Sequence, residues 1–381
     1  MSLKISKRVK SGWPIFAAAI FFIAGALFFT PAQALSRGSD FAGENTTSSD
    51  NVVPVVIKSA SAVVPKKSSS DVSNIPDRVV SQAAYDFSST KTGIYTGPGD
   101  INGHVNFENW LGKPIPYTTD YIDYKGGWFA DFHDSNLWLM KPWGKWVSQG
   151  DRRLVLGVPM LENSNIGQFD MGINGDFDSY FKDLASELVA NSLGNSIIRL
   201  GYEANCNTIG PWQAVDNPAG YKILFRHEAA AMKSVPGAAF LFDWTVCNGI
   251  QYGHALSSFD SFYPGDDIVD IMGIDVYDVK WQDTSASPQA RWDYVTSRQM
   301  GVNDLLAYAR GHGKQVSFPE WGLYAPGDSF AGGGDNPYFI EQMAQLISST
   351  KPVYQAYFNS DWGGGVLSNF KQGQSAFKEI F

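Results

Sequence analysis

The chain of 381 residues is 44% hydrophobic and 14% aromatic, which excludes an intrinsically disordered protein and predicts a large folded core. Its formal charge is −9, and four basic side chains lie within the first ten residues, so the remainder carries −13. An anionic protein repels nucleic acid and anionic membrane surfaces, and neither is expected as a partner. A neutral or cationic substrate fits this charge better.

The first 34 residues have the pattern of an export signal. The basic stretch precedes an apolar run from Trp13 to Phe29, and Pro31-Ala32-Gln33-Ala34 has the form of an A-x-A cleavage site. We predict a signal peptide over residues 1–34, cleaved after Ala34, which gives a secreted or periplasmic protein without stable membrane insertion. The alternative is an uncleaved N-terminal membrane anchor, because a run of about 17 residues reaches the lower limit for crossing a bilayer.

Composition divides the rest of the chain in two. Residues 35–88 are rich in Ser, Val, Thr, Asn and Lys and nearly lack aromatic residues, which predicts a flexible low-complexity linker. Residues 89–381 alternate apolar runs of strand length with helical segments and loops rich in Gly, Asp, Asn and Trp. This second part is predicted to be a single catalytic domain.

The apolar runs predict eight strands in chain order. They are Thr92–Thr96, Ile115–Tyr121, Leu154–Met160, Ser196–Leu200, Ala239–Asp243, Ile268–Val276, Gln315–Phe318 and Val353–Phe358. Helices are predicted over Phe177–Ser192, Ala219–Lys233, Thr296–Gly311 and Pro337–Thr350. Strands alternating with helices predict a parallel α/β fold, and eight strands favour a (β/α)₈ barrel. The competing open, doubly wound sheet usually carries a G-x-G-x-x-G turn, and no predicted strand is followed by one.

Two predicted strand ends carry a glutamate beside an aromatic residue. Glu203 follows Tyr202 after the fourth strand, and Glu320 precedes Trp321 after the seventh. Catalytic groups of a parallel barrel lie at the carboxyl ends of its strands, and aromatic faces stack on sugar rings. The two carboxyls are therefore interpreted as the acid/base and the nucleophile of a retaining glycosidase, which must lie about 5–5.5 Å apart.

Other polar residues near predicted strand ends are candidates for the same site. Arg199 lies on the same strand side as Glu203 and is interpreted either as a partner of a catalytic carboxylate or as an ion pair inside the barrel. Tyr277 closes the sixth strand and either orients the nucleophile or packs at the rim. Three aspartates are predicted either to bind sugar hydroxyls or to cap helices: Asp120, Asp243 and Asp275.

Tryptophan is frequent in the predicted loops. Trp212 and Trp362 each lie beyond a strand end on the catalytic side, so both are predicted to be stacking platforms for sugar rings.

The chain contains two cysteines, Cys206 and Cys247. Each follows a predicted strand, and neighbouring strands would bring both to one rim of the barrel, so a disulfide is favoured over free thiols in an oxidising compartment. No His or Cys shows the spacing of zinc ligands, and no metal ion or cofactor is expected. The absence of a G-x-S-x-G sequence disfavours a serine hydrolase triad.

Four segments carry a resemblance to a known family. They are Gly93-Ile94-Tyr95-Thr96-Gly97, Ile198-Arg199-Leu200-Gly201-Tyr202-Glu203-Ala204-Asn205 with Trp212 nearby, Tyr263-Pro264-Gly265-Asp266, and Phe318-Pro319-Glu320-Trp321-Gly322. Over about residues 92–365 the chain resembles glycoside hydrolase family 26, a family of (β/α)₈ retaining hydrolases with catalytic glutamates on the fourth and seventh strands.

The resemblance implies Glu203 as acid/base, Glu320 as nucleophile, and Tyr277 and Trp362 as subsite residues. Its motifs add three candidates for substrate binding: Tyr95, Asn205 and Trp321. Mannanases of the family usually have His before the acid/base, whereas this chain has Tyr202, so the chain looks like a divergent branch and the substrate is left open.

The sequence therefore predicts an exported, monomeric, retaining endo-β-glycoside hydrolase acting on a polysaccharide: mannan, mixed-linkage glucan, xylan or a bacterial exopolysaccharide. One alternative is a polysaccharide-binding or export-accessory barrel without activity. A second alternative is a transglycosylase, which shares the first half of the mechanism.

Overall fold

A computed structural model describes residues 85–381 except 124–136, 163–167, 207–209, 216, 250–255, 257, 282 and 328–330. The predicted signal peptide and all but the last residues of the predicted linker lie outside the described part. Within it, no helix combines the length and apolar character needed to cross a membrane.

Eight parallel strands close into a barrel in chain order, each paired with its neighbours and β8 paired with β1. The strands are β1 (Lys91–Tyr95), β2 (Tyr117–Tyr121), β3 (Arg153–Val158), β4 (Ile197–Leu200), β5 (Leu241–Cys247), β6 (Ile271–Tyr277), β7 (Gln315–Gly322) and β8 (Tyr354–Phe358). All eight predicted strands are present, and the predicted (β/α)₈ barrel is confirmed.

Helices of the described residues surround the barrel. They are α1 (Ile101–Leu111), α2 (Leu137–Val147), α3 (Gln168–Ile173), α4 (Asp178–Ala190), α5 (Pro218–Lys233), α6 (Pro288–Ser297), α7 (Val302–Gly311), α8 (Pro337–Thr350) and α9 (Lys371–Ile380). Helix α8 has the predicted bounds, and it begins with Asn336 as N-cap and Pro337 in the first turn, a favoured start.

The helix predicted over Thr296–Gly311 is wrong as a single element. Helix α6 ends at Ser297 and α7 begins at Val302, because Met300 adopts a left-handed backbone (φ 56°) that a helix cannot accommodate. The carboxylate of Asp304 accepts a hydrogen bond from the Met300 amide at 2.8 Å and fixes this break. Gly301 supplies the N-cap position of α7.

Two strand ends were predicted too early. Strand β5 continues four residues past Asp243 to Cys247, and β7 continues past Phe318 through Pro319 to Gly322. The sequence predicts the earlier ends because a polar residue, Asp243, and a proline, Pro319, interrupt the apolar runs. Asp243 instead lies within the barrel, and Pro319 lies at a register shift between β7 and β8, where a strand tolerates proline.

The predicted linker ends earlier than residue 88. Tyr85 and Phe87 pack against the core, and the Phe87 ring stacks on that of Phe381 with centroids 5.0 Å apart. Aromatic side chains just before β1 therefore belong to the folded domain.

The interior of the barrel is built in layers of alternate side chains. The lowest layer is an apolar cluster of Tyr117, Val155, Ile197, Ile271 and Tyr354. Above it the layer turns polar around the fully buried carboxylate of Asp243, which accepts hydrogen bonds from the hydroxyls of Ser317 at 2.6 Å and Tyr354 at 2.7 Å. This polar layer carries the site at the mouth of the barrel.

The Asp243 layer predicts a cost for removing one donor. Tyr354→Phe should lower the free energy of unfolding by about 1–3 kcal/mol, because a buried carboxylate loses a donor that no water replaces. Urea unfolding followed by tryptophan fluorescence measures the change. Tyr338→Phe is the matched control, since it removes a surface phenol that donates to Gln289, and its expected cost is below about 0.5 kcal/mol. Equal stability of the Tyr354 variant and the control would contradict the role of this layer.

Candidate active site

A single buried guanidinium organises the mouth of the barrel. Arg199, the third residue of β4, is fully buried and donates to the carboxylates of Asp275 and Glu320, each at 2.6 Å. It also donates to the hydroxyls of Tyr121 at 2.8 Å and Thr245 at 3.2 Å. Strands β2, β4, β5, β6 and β7 are thereby joined through one side chain. The two interpretations of Arg199 made from the sequence, as a partner of a catalytic carboxylate and as an interior ion pair, describe the same contacts.

Glu320 has both carboxylate oxygens held by donors. Arg199 and the Tyr121 hydroxyl donate to Oε1, each at 2.6 Å, and the Tyr277 hydroxyl donates to Oε2 at 2.9 Å. The register shift at Pro319 re-aims this part of β7, and the Glu320 side chain lies 7% exposed at the barrel mouth. Three donors on one carboxylate fix its orientation.

Glu203 lies on a tight turn beyond β4. Gly201 and Glu203 both have left-handed backbones (φ 52° and 53°), a conformation that costs a non-glycine residue about 1–2 kcal/mol. The turn is held from both sides, because the Glu203 amide donates to the Thr245 carbonyl and the Cys206 amide donates to the Glu203 carbonyl, each at 2.8 Å. Strain of this kind at a carboxyl directed into the site is typical of functional positions.

Burial raises the pKa of Glu203 to about 8, and the negative charge of Glu320 acts in the same direction. Arg199 and a hydrogen bond with Asp275 oppose the shift without cancelling it. Asp275, which pairs with Arg199, also hydrogen-bonds Glu203, and Arg199 pairs with Glu320, so contacts through Asp275 and Arg199 link the two glutamates. At neutral pH Glu203 is therefore mainly a protonated acid.

Burial also raises the pKa of Asp275 well above its ordinary value, and Arg199 opposes that shift. Asp275 thus lies between the guanidinium and the two glutamates. The sequence had placed it at the end of a strand near a ligand, and the structure brings it into the site as a partner of Arg199.

Cys206 and Cys247 are joined by a disulfide beside Glu203. The Cys247 Sγ lies 3.2 Å from the Glu203 Oε1, a contact not foreseen from the sequence. Among the residues that the structure describes, the ligand atoms of Glu203 and the two cysteines form one group of the kind that holds metal ions. The expectation that the chain takes no metal ion or cofactor stays a prediction.

Asn205 was predicted to bind substrate, and the structure gives it a different role. It is 3% exposed, and its amide group accepts a hydrogen bond from the Cys247 amide at 2.8 Å and donates to the Cys247 carbonyl at 3.0 Å. The side chain therefore ties the Glu203 turn to the end of β5.

An aromatic rim borders the carboxylates at the ends of β1, β6 and β8. Tyr95 stacks on Phe358 at 4.5 Å and meets the edge of Tyr121 at 5.3 Å. Trp362 is 44% exposed, and its ring lies 5.2 Å from that of Tyr277, the residue that donates to Glu320. Tyr95, Tyr277 and Trp362 lie beside the carboxylates, and Trp362 has a face open to solvent. Their predicted contact with substrate stays a prediction.

Two other tryptophans are not available to a substrate. Trp212 is fully buried; its ring packs against Tyr202 at 5.2 Å and its indole N–H donates to the Tyr202 carbonyl. Trp321 is fully buried on the outer face of the barrel, where it donates to Gln355 and stacks against Phe377 of α9. Alternation along β7 directs Glu320 inward and Trp321 outward. The prediction that Trp212 and Trp321 contact the substrate was therefore wrong.

Asp243 and Asp120 also lie away from the mouth. Asp243 is in the polar layer below the site, so its predicted contact with sugar hydroxyls was wrong. Asp120 faces outward from β2 and accepts from the indole N–H of Trp143 at 2.6 Å and the Gly99 amide at 2.8 Å. Burial raises the pKa of Asp120 to about 7 despite these donors.

Sequence reasoning missed Tyr121 and Gly157. Tyr121 donates directly to Glu320, and an added Cβ at Gly157 would lie 2.4 Å from the Tyr121 ring, so the ring needs a residue without a side chain beneath it. Period-two alternation along β2 offered a signal for Tyr121, because it lies on the same inward face as Tyr117. Nothing in the sequence around Gly157 indicated a contact with this ring.

The described residues thus form a closed (β/α)₈ barrel with a donor-bound carboxylate, Glu320, on its seventh strand and a carboxyl of raised pKa, Glu203, after its fourth. The model of glycosyl hydrolase family 26 matches residues 179–359, a segment that contains both glutamates. The resemblance to family 26 is confirmed over this segment, which is just under half of the chain.

Solved structures agree on the fold at low sequence identity. An endo-β-1,4-mannanase from Cellulomonas fimi is 17% identical with a TM-score of 0.53, and the alignment covers 77% of this chain and 73% of that one. A mannanase from Bacillus subtilis is 15% identical with a TM-score of 0.51, over 76% and 84% of the two chains. The family 26 domain of an endo-β-mannanase/endo-β-glucanase from Prevotella bryantii is 15% identical with a TM-score of 0.51, over 78% and 90%. No curated protein matches the sequence significantly, and these identities are consistent with a divergent branch.

The buried ion pairs predict a large, pH-dependent loss of stability on removal of Arg199. Arg199→Met should cost about 3–5 kcal/mol at about pH 8, since Asp275 and Glu320 would be left buried without a cation. The pKa of Asp275 is raised, so at about pH 5 its carboxyl can bind a proton, and the loss should be smaller there. Urea unfolding at both pH values measures the difference. The exposed Arg226, which pairs with Asp267, gives the control variant Arg226→Met, with a cost below about 1 kcal/mol at either pH. A loss for the Arg199 variant that does not depend on pH would contradict the assignment.

Proposed function

We propose that the protein is a retaining endo-β-glycoside hydrolase in which Glu320 is the nucleophile and Glu203 the general acid/base. The proposal rests on the different surroundings of the two carboxyls. Three donors hold Glu320, whereas burial and the neighbouring charge keep a proton on Glu203. Environments that separate two carboxyls in this way assign the acid and the nucleophile.

In the first step a Glu320 oxygen attacks the anomeric carbon. The bond to the leaving oxygen breaks as that oxygen takes the proton from Glu203, which leaves a glycosyl ester on Glu320. Donation from Tyr121, Tyr277 and Arg199 orients the attacking carboxylate. Loss of its negative charge on ester formation also removes one cause of the raised pKa of Glu203, so the acid becomes a better base for the next step.

In the second step Glu203 takes a proton from water, whose oxygen attacks the anomeric carbon and releases Glu320 as a carboxylate. The product keeps the configuration of the substrate because two displacements have occurred at the same carbon. Return of charge to Glu320 then raises the pKa of Glu203 again and favours the protonated state needed for the next turnover.

The substrate is proposed to be a neutral β-linked polysaccharide. The exposed ring of Trp362, together with Tyr95 and Phe358, gives apolar faces on which pyranose rings stack. The buried carboxylates of Asp275 and Glu320 would repel an acidic sugar bound among them. Mannan, mixed-linkage glucan, xylan and a bacterial exopolysaccharide all fit these features, and export of the chain through its predicted leader would bring it to such polymers.

Paired variants test the two roles. Glu320→Ala should reduce release of reducing ends from the polymer panel by at least about 10³-fold, because no covalent intermediate can form. Glu203→Ala should reduce it by about 10²–10⁴-fold, yet an aryl glycoside with a good leaving group should still form the glycosyl ester rapidly, since its departure needs no proton.

Azide separates these roles further, since the small anion enters the space that each alanine leaves. With Glu203→Ala, azide attacks the glycosyl ester and should give a glycosyl azide of retained configuration. With Glu320→Ala, azide attacks the substrate directly and should give the inverted product. Exchanged outcomes would reverse the roles. No release of sugar from any polymer by the wild type would favour a binding protein, and transfer products in place of reducing ends at high acceptor concentration would favour a transglycosylase.

The acid form of Glu203 sets the alkaline limit of activity. Its pKa is raised to about 8, so the proton is present below this value and lost as the pH rises through it, and kcat/KM should fall with an apparent pKa of about 8. Glu320→Gln should lower the pKa of Glu203, because it removes a charge that raises it. Carbon-13 NMR titration of labelled glutamate side chains in this inactive variant measures that shift. An unchanged Glu203 pKa would contradict the coupling of the two carboxyls.

A further inference from the structure

In the described part of the chain, a group of atoms that could bind a metal ion lies at Glu203, the proposed acid/base. A carboxylate oxygen of Glu203 and the Sγ atoms of Cys206 and Cys247 all lie within 4.8 Å of one another, with the Cys247 Sγ 3.2 Å from Glu203 Oε1. These are the two cysteines of the sequence, so any thiolate signal from the protein originates here.

Hydrogen bonds of the backbone hold these residues together independently of the disulfide. The Glu203 amide donates to the Thr245 carbonyl, and the Cys206 amide donates to the Glu203 carbonyl. Asn205 contacts both the amide and the carbonyl of Cys247. Cleavage of the sulfur–sulfur bond would therefore leave two thiols facing the Glu203 carboxyl at the same place.

The donor set is that of a zinc ion. Zinc binds Cys sulfur at about 2.3 Å and carboxylate oxygen at about 2.0–2.2 Å in a tetrahedron, so ligand atoms on one ion lie under about 4 Å apart. Cys247 Sγ and Glu203 Oε1, which are 3.2 Å apart, already lie within that distance, and the two sulfurs would separate to it once their bond is broken. Three protein ligands leave one position for water.

We propose that reduction of the Cys206–Cys247 disulfide creates a zinc site in which both thiolates and the Glu203 carboxylate bind the ion. A two-electron reductant such as a phosphine breaks the sulfur–sulfur bond: phosphorus takes oxygen from water to become a phosphine oxide, and the two water protons go to the two thiols. Zinc then displaces both thiol protons and the proton of the Glu203 carboxyl into solvent. Bound zinc holds the Glu203 oxygen, so the side chain can no longer give a proton to a leaving group. Only this last consequence, reversible inhibition, rests on the proposed function.

Cobalt(II) tests the site directly, since it accepts the ligands of zinc and gives a sulfur-to-metal charge-transfer absorption. The full chain is reduced with a phosphine under argon, freed of reductant by gel filtration, and titrated with Co²⁺. We expect one Co²⁺ per chain with a charge-transfer band, loss of the band on addition of Zn²⁺, and no band in the oxidised protein. A reduced chain that gives no such band overturns the proposal. Loss of the near-ultraviolet circular dichroism on reduction also overturns it, because the ligands would then no longer be held by the fold.

Variants assign the ligands. The double variant Cys206→Ser/Cys247→Ser should give no band. Glu203→Gln should weaken Co²⁺ binding by at least the 10–100-fold that loss of an outer-shell partner costs. Glu320→Gln is the matched control, which removes a neighbouring glutamate outside the ligand set and should keep the band with affinity within about threefold. Equal binding by the Glu203 and Glu320 variants overturns the role of Glu203.

Activity gives a separate outcome. The reduced, metal-free protein should release sugar, Zn²⁺ should stop release, and a chelator should restore it. If the oxidised protein releases no sugar but the reduced protein shows the cobalt band, the proposed function is contradicted and the metal site is supported. Sugar release that Zn²⁺ leaves unchanged, with one ion bound, overturns the ligation of Glu203.

Discussion

The buried guanidinium of Arg199 is the interaction on which the site depends. It supplies one positive charge to two carboxylates, Asp275 and Glu320, and also contacts the hydroxyls of Tyr121 and Thr245. Burial raises the pKa of a third acidic group, Glu203, to about 8, and the charge of Glu320 acts in the same direction, so Glu203 keeps its proton at neutral pH. The two glutamate side chains are chemically identical, and their difference comes from these surroundings and from the three donors that hold Glu320.

The two glutamates are held by different kinds of structure. Glu320 lies within strand β7, where ladder bonds and three side-chain donors fix it. Glu203 lies on a strained left-handed turn whose contacts come from the end of β5 and from Asn205. In the proposed mechanism Glu320, as the nucleophile, must remain in one position, whereas Glu203, as the acid/base, must exchange a proton with two oxygens in turn. A strand suits the first requirement, and a turn fastened at its two ends suits the second.

Much of this arrangement was predictable from the sequence, because barrel strands buried on both faces give continuous apolar runs that end at polar residues. That rule failed where polar side chains point into the barrel, and the predicted end of β5 at Asp243 was therefore too early. Trp321 was predicted to lie in the cleft, although its neighbour Glu320 takes the inward position. Alternation along β2 indicates that Tyr121 points inward, but it does not indicate the contact of Tyr121 with Glu320. That contact, and the contacts of Asn205 with Cys247, join segments far apart in the chain that only the closed barrel brings together.

The geometry of the candidate site depends on Gly157, a residue of the barrel framework. The Tyr121 ring lies over this glycine, at a distance that leaves no room for even one methyl group, and the same phenol reaches Glu320. The position of the Tyr121 ring thus depends on the absence of a side chain at Gly157, although its strand, β3, contributes no reactive group to the site. Any larger side chain at position 157 would therefore displace the phenol that donates to Glu320.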